Sequence, residues 1–233
     1  MNKLITPVLS LLGPASLLLI FTGCSKPTSR QAENSLAFDS VKAPAYSGST
    51  VVGVTHSVKN YEEWLKVYNE DSDPDSRISI YRSPDDPNLI TVFELTKSHA
   101  DARNLYASAR LKQVMMERGV TSEPVYAYYD MKYRASDKTD KLYRLGVTHK
   151  VADYERWKQE FDKEEPIRAE AGLELRAIST NADDPSIVNV MFATDDIDKA
   201  KNLINSDELK KRMDEAGVES KPSFTVFKVV SNP

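Results

Sequence analysis

The sequence predicts an α+β protein whose folded part is two tandem copies of one βαββαβ unit. Three observations predict it: short motifs recur in the same order at nearly constant spacing, strand-like and helix-like patterns recur with them, and the composition is that of an ordinary globular chain. Of 233 residues, 40% are hydrophobic and 28% charged, a balance that supports a packed core instead of disorder. The length suffices for two small cores.

The repeat organises everything after about residue 50. Gly53-Val54-Thr55-His56 recurs as Gly146-Val147-Thr148-His149, and Tyr61, Glu62 and Trp64 recur as Tyr154, Glu155 and Trp157. Further on, Asp85-Asp86-Pro87 recurs as Asp183-Asp184-Pro185, Gly119-Val120 as Gly217-Val218, and Pro124 as Pro222. The second copy carries about five more residues, inserted around residues 166–172.

Each copy reads as strand, helix, strand, strand, helix, strand. Residues 51–58 and 143–151 have the β-branched content and alternation of a strand. Asn60 and Asp153 then stand as N-caps, their side-chain oxygens placed to accept free backbone N–H groups of the first helical turn, and Glu63 adds a capping-box pattern. Tyr61, Trp64, Leu65 and Tyr68 share one helical face, as do Tyr154, Trp157 and Phe161, so this stripe packs on the sheet. Two short strands follow, at 77–82 and 89–95 and again at 173–179 and 187–193, joined by the Asp-Asp-Pro turns. A second helix spans 100–118 and 197–216, closed by Gly119 and Gly217 as C-terminal caps, with Ser206-Asp207-Glu208 marking a break in the later one. Strands at 124–130 and 223–229 complete the units. The order is that of a ferredoxin-like split βαβ unit, which leaves one sheet face bare of helices and in need of a second sheet.

The domain boundaries expected are a leader at 1–23, a tether at 24–50, a first unit at 51–131, a polar linker at 132–140 and a second unit at 141–230. The leader has a basic start at Lys3, an apolar stretch over 4–21, and Thr22-Gly23 before Cys24, the chain's one cysteine. This resembles a lipobox, Ile20-Phe21-Thr22-Gly23-Cys24, which implies cleavage before Cys24 and attachment of diacylglycerol and palmitate to it. Roughly 18 apolar residues could instead span a bilayer uncleaved. Pro7, Gly13, Pro14 and the placement of the cysteine favour cleavage. Ser25 after the cysteine resembles lipoproteins sent to the outer membrane. One cysteine allows no internal disulfide. Removing the leader leaves 30 basic and 35 acidic residues, a charge of −5, which argues against a nucleic-acid partner.

His149, Asp153-Tyr154, Trp157, Asp183-Asp184-Pro185 and Ala216-Gly217-Val218, with a weaker version in the first copy, resemble the dimeric α/β-barrel superfamily, more narrowly its cyclase-like and antibiotic-biosynthesis-monooxygenase-like members. The resemblance covers about 180 residues. It implies two facing sheets around a lumen, closed here within a monomer as an internal pseudo-dimer. Because that fold carries oxygenases, haem-degrading enzymes, isomerases and proteins without known activity, it speaks for architecture more than chemistry.

His56 and His149 are the candidate catalytic residues, since each recurs near the end of an equivalent strand and an imidazole serves as a base near neutral pH. The alternative is a pair of hydrogen-bonded histidines that position the strand-to-helix turn. A metal is not expected, because His99 is the remaining histidine and has no repeat partner; no cofactor is expected either. Tyr81, Tyr126 and Tyr128 make the first copy the expected binding half, and Arg168 and Arg176 are candidates to face an anionic ligand, although a solvated arginine at a helix end is the commoner arrangement. Glycine-rich phosphate loops, nucleophile elbows and zinc-protease patterns do not occur. Three functions follow: an envelope lipoprotein holding a small apolar or aromatic molecule in the lumen; a cofactor-independent monooxygenase, isomerase or cyclase using a lumen histidine as base; or a protein-interaction scaffold with a filled lumen and an exposed apolar patch.

Overall fold

In a computed structural model, the described residues are 49–72 and 75–230. The expected leader, Cys24 and nearly all of the tether lie outside them. The chain runs β1 (Thr50–Ser57), α1 (Tyr61–Asp71), β2 (Arg77–Arg82), β3 (Leu89–Thr96), α2 (His99–Ala107), α3 (Ala109–Glu117) and β4 (Val125–Arg134). It continues through β5 (Tyr143–Lys150), α4 (Tyr154–Lys163), α5 (Glu165–Glu170), β6 (Glu174–Asn181), β7 (Ile187–Thr194), α6 (Ile197–Ile204), α7 (Asp207–Glu215) and β8 (Ser223–Val229). Among these, no helix is long and apolar enough to cross a membrane.

Local chemistry sets the ends of these elements. Asn60 Oδ1 accepts the Glu63 N–H at 3.0 Å and Asp153 Oδ1 the Arg156 N–H at 2.7 Å, so both helices begin at the expected caps. In the hairpins, the Asp86 and Asp184 carbonyls accept the Leu89 and Ile187 N–H groups at 3.1 and 2.9 Å, while their carboxylates hold the Asn88 and Ser186 N–H groups. Gly119 and Gly217, at φ +93° and +83°, turn the chain off the helices in the left-handed region. The second-helix segment is broken in both halves: Ser108 ends α2 and caps α3, while α6 ends at Asn205 and the next residue, Ser206, caps α7. The inserted stretch forms α5. β4 runs on to Arg134, into the expected linker, and pairs there with β6.

All eight strands close into one ring in the order β1-β3-β2-β8-β5-β7-β6-β4. Within each half the pairings match: Gly53 lies opposite Phe93 and His56 opposite Ile90, while Gly146 lies opposite Met191 and His149 opposite Val188. The two seams between halves differ. Five residues of β4 pair with β6, but only Tyr81 and Arg82 of β2 reach β8, whose strand ends at Val229.

Alternation divides each strand between two environments. Val52 and Val54 of β1 pack with Ala102, Tyr106 and Tyr128 under the helices of the first half, and Leu145 and Val147 of β5 pack with Trp157, Phe161 and Phe192 under those of the second. Gly53, Thr55, Gly146 and Thr148 therefore face the ring interior. There Tyr129, Phe93, Tyr81 and Phe227 form a row of rings with successive centroids 6.2, 5.9 and 5.5 Å apart. A Cβ on Gly53 would come within 3.1 Å of Phe93 and 3.2 Å of Tyr129, so that glycine makes the room this row needs.

Candidate functional site

His56 and His149 sit on the helix-facing side of the barrel wall, not in its lumen. Their strands put them in phase with Val52, Val54, Leu145 and Val147, and they are 3% and 4% exposed. His56 meets the Trp64 ring edge-on at 5.7 Å, and His149 meets Trp157 at 5.4 Å. Among the described residues neither imidazole has a hydrogen-bond partner on either nitrogen. The hydrogen-bonded, turn-positioning histidine is therefore not what the fold contains. Burial holds both imidazoles down at about 4, which leaves them neutral at ordinary pH.

The other candidate residues are dispersed. Tyr81 lines the lumen, on the opposite face from Tyr126 and Tyr128. Tyr126 stands 4.9 Å from the Tyr106 ring beneath α2, and the Arg103 guanidinium covers Tyr128 at 4.0 Å while bonding Asp183 at 2.6 Å. Arg176 lies on β6, bound to the Glu174 carboxylate at 2.5 Å and to the Asp137 carbonyl. His99 pairs with Asp130 at 2.8 Å. No group of three or more His, Cys, Asp or Glu side chains converges as a metal site among the described residues.

Arg168 departs from the solvated arginine expected of a helix end. It is 7% exposed, its guanidinium lies 3.7 Å over the Phe161 ring, and Nη1 donates to the Phe161 carbonyl at 2.5 Å, with the Glu164 carboxylate at 4.0 Å. The insertion that forms α5 thus supplies a buried cation to the second half, met by the Phe161 carbonyl and by Glu164 just ahead of the helix. Burial raises the Glu164 carboxyl, and the neighbouring Arg168 charge opposes that rise.

These residues surround a cavity of about 60 Å³ between the helices and the outer sheet face of the second half. Val147, His149, Val190 and Phe192 form its sheet wall; Trp157, Phe161, Leu203, Ile204, Leu209 and Met213 form its helical wall, with Arg168 and Glu164 at one edge. An outer groove of about 450 Å³ runs between α7 and the start of β8 and shares Ile204, Met213 and Phe224 with it. Neither α3 nor α7 contributes a buried residue, so α7 covers the cavity with Leu209 and Met213 alone.

In the first half a polar cluster stands where the cavity walls stand in the second. Strand register and the shared turns match Tyr68 with Phe161, Glu94 with Phe192 and Tyr106 with Ile204. The Tyr68 and Tyr106 hydroxyls both donate to the Glu94 carboxylate, at 2.5 Å each. Burial and the Glu94 charge push both phenols well above their usual range, so both stay protonated as donors. From the sequence, Tyr68 belongs only to the apolar stripe of the first helix, and neither Glu94 nor Tyr106 is picked out. The signal was present, for the aligned repeat sets a carboxylate, Glu94, against Phe192 in a buried strand.

A porphyrin does not fit the cavity: about 60 Å³ is far below the roughly 300–1,000 Å³ of drug-sized ligand pockets. The cavity wall offers an apolar body, one neutral imidazole and a self-paired arginine. It can hold a small uncharged molecule and give or take one hydrogen bond.

No family model matches the chain, and no curated protein matches it in sequence. Among solved structures, it resembles a candidate monooxygenase from Lactobacillus acidophilus NCFM, at 12% identity and a TM-score of 0.51, over 79% of this chain and 94% of that one. A ferredoxin-fold protein from Listeria monocytogenes related to antibiotic biosynthesis monooxygenases aligns at 7% identity and 0.47, over 80% and 98%. A heme-binding protein from Thermus thermophilus aligns at 13% and 0.48, over 82% and 95%. At such identities the likeness is one of fold. The two βαββαβ halves and their closed eight-stranded ring have the dimeric α/β-barrel architecture, formed here within a single chain.

Proposed function

We propose that this protein is a lipid-anchored, monomeric component of the bacterial cell envelope, attached through Cys24 to the outer membrane, that binds a small apolar or aromatic molecule. The ligand site in this reading is the helix–sheet cavity of the second half, in place of the lumen. One observation carries it: an apolar cavity whose wall includes a buried histidine with both ring nitrogens lacking partners among the described residues. Buried polar atoms left without partners cost about 1–3 kcal/mol each, so a group that meets them is expected to be favoured there. The anchor reading is supported by Lys3, the apolar 4–21 stretch and the placement of Cys24.

The test is the thermal midpoint of the full-length protein with small neutral aromatic compounds, compared between wild type and Ile204→Tyr. Tyrosine there restores the bulk that Tyr106 supplies in the first half. Stabilisation of the wild type that the variant lacks supports the site; equal stabilisation of both places binding elsewhere.

The same histidine supports a second reading, cofactor-independent oxygenation, isomerisation or cyclisation, because a neutral imidazole with a free nitrogen can take a proton from a bound substrate. A compound recovered unchanged after prolonged incubation with the protein would favour binding, and conversion that His149→Leu abolishes would favour catalysis.

A further inference from the structure

We infer that the second-half cavity selects a neutral molecule of single-ring size carrying one hydroxyl, and that His149 is the residue that reads this hydroxyl. The inference rests on the proposed ligand site and adds the ligand's chemistry.

Size follows from comparing the halves. Where the first half places the Tyr106 ring, the second has Ile204, and the Tyr126 ring that packs against Tyr106 is matched by the smaller Phe224. The aliphatic side chain leaves a space that, in the first half, holds an aromatic ring and its hydroxyl. The present 60 Å³ is tight for such a molecule, but α7 lies over it without a buried residue of its own, beyond the break at Ser206. A small outward shift of Leu209 and Met213 enlarges it toward the groove they share with Phe224.

Charge is excluded by the wall. Arg168, the cation at its edge, is engaged by the Phe161 carbonyl and lies beside Glu164, and a negative ligand would meet that carboxylate. The imidazole is neutral, so it offers no counter-charge. Polarity is then set by His149, whose two ring nitrogens are the fully buried side-chain nitrogens lining the cavity without a partner among the described residues. A neutral imidazole has one N–H and one bare nitrogen. A hydroxyl can donate to one or accept from the other, whereas a hydrocarbon of equal size leaves both unmatched. Sites built to meet a hydroxyl reject the analogue that lacks it.

The probes are phenol, toluene and benzoate, matched in ring and differing in hydroxyl and charge, titrated into full-length protein carrying ¹⁵N-labelled histidine. The chain has three histidines, so His56→Leu and His149→Leu assign the imidazole signals. The expected result is that phenol shifts the His149 nitrogens and binds at least about tenfold more tightly than toluene, that benzoate does not bind, and that His149→Leu brings phenol down to the toluene level. Ile204→Tyr, which leaves His149 in place, should remove binding of both neutral probes. Equal binding of phenol and toluene in wild type and His149→Leu overturns the role of His149 while leaving the cavity as a binding site. Preferential binding of benzoate overturns the neutral-ligand inference in favour of an anion site at Arg168. Failure of every probe to bind, with the histidine signals unmoved, overturns the cavity reading itself.

Discussion

His149 lies against Trp157 with the ring centroids 5.4 Å apart, sealed from solvent, and His56 stands to Trp64 in the same way at 5.7 Å. Each half of the barrel therefore buries one imidazole between strand and first helix. The consequence is a pH-dependent stability. In the unfolded chain these groups titrate near 6.5 and in the folded protein at about 4. Between those values the unfolded chain binds more protons, so stability is full above about pH 6.5 and is lost as pH falls toward 4, with little further change from these groups below that. The loss is on the order of 3 kcal/mol per histidine. Urea midpoints between pH 4 and 8 should fall on acidification, and His56→Leu with His149→Leu should flatten that dependence. An unchanged slope in the double variant would assign it to the carboxylates.

Glu94 joins Tyr68 and Tyr106 into one cluster, and removing either phenolic hydroxyl weakens it. Tyr106→Phe or Tyr68→Phe should cost about 1.5–3 kcal/mol, as expected for a hydrogen bond to a charged group. The double variant should cost other than the sum, because both donors share one carboxylate. Phe192→Glu, the matched change in the second half, places a carboxylate between Phe161 and Ile204 with no donor at the matched positions, and should destabilise by about 3 kcal/mol or more. Chemical denaturation of the four variants checks the asymmetry.

The two strand glycines should respond differently to alanine. Both are extended, so backbone strain is not the issue. A methyl at Gly53 presses on Phe93 and Tyr129 at 3.1 and 3.2 Å, whereas at Gly146 its nearest neighbour is the Phe227 ring at 3.6 Å. Gly146→Ala should raise stability by up to about 1 kcal/mol through the reduced freedom of the unfolded chain, and Gly53→Ala should be neutral or lower it by about 1 kcal/mol. Gly53→Ala the more stable of the two would show that the aromatic row yields freely.

Cys24→Ser should abolish incorporation of labelled palmitate and leave the leader attached, giving a heavier protein on a gel. Palmitate retained by the variant would refute the anchor, since the chain has no other cysteine.

How far the sequence could be read depends on the range of the forces involved. Caps at Asn60 and Asp153, turns at Asp86 and Asp184, and helix ends at Gly119 and Gly217 are set within four residues, and all are found where expected. The break at Ser108 was missed because Ala109 and Arg110 lack the acidic pair that follows Ser206, yet Ser108 is the repeat partner of Ser206. The site was read less well. Tyr81, Tyr126 and Tyr128 were grouped by composition, but alternation sends Tyr81 to the lumen and the other two under α2. Arg168 looked solvent-facing because nothing local shows that α5 folds back onto Phe161.

By itself, then, the sequence determined the βαββαβ order, its repetition and the place of each cap and turn, because those rest on hydrogen bonds between near neighbours and on strand and helix periods. Only the tertiary structure decided which face of each strand met helix or lumen, and that the cavity lies in the second half. Those outcomes depend on contacts across long stretches of chain: Glu94 takes donors from α1 and α2, Gly53 yields its space to rings from β3 and β4, and Ile204 leaves open what Tyr106 fills. No local pattern encodes them, since each requires both partners already in place.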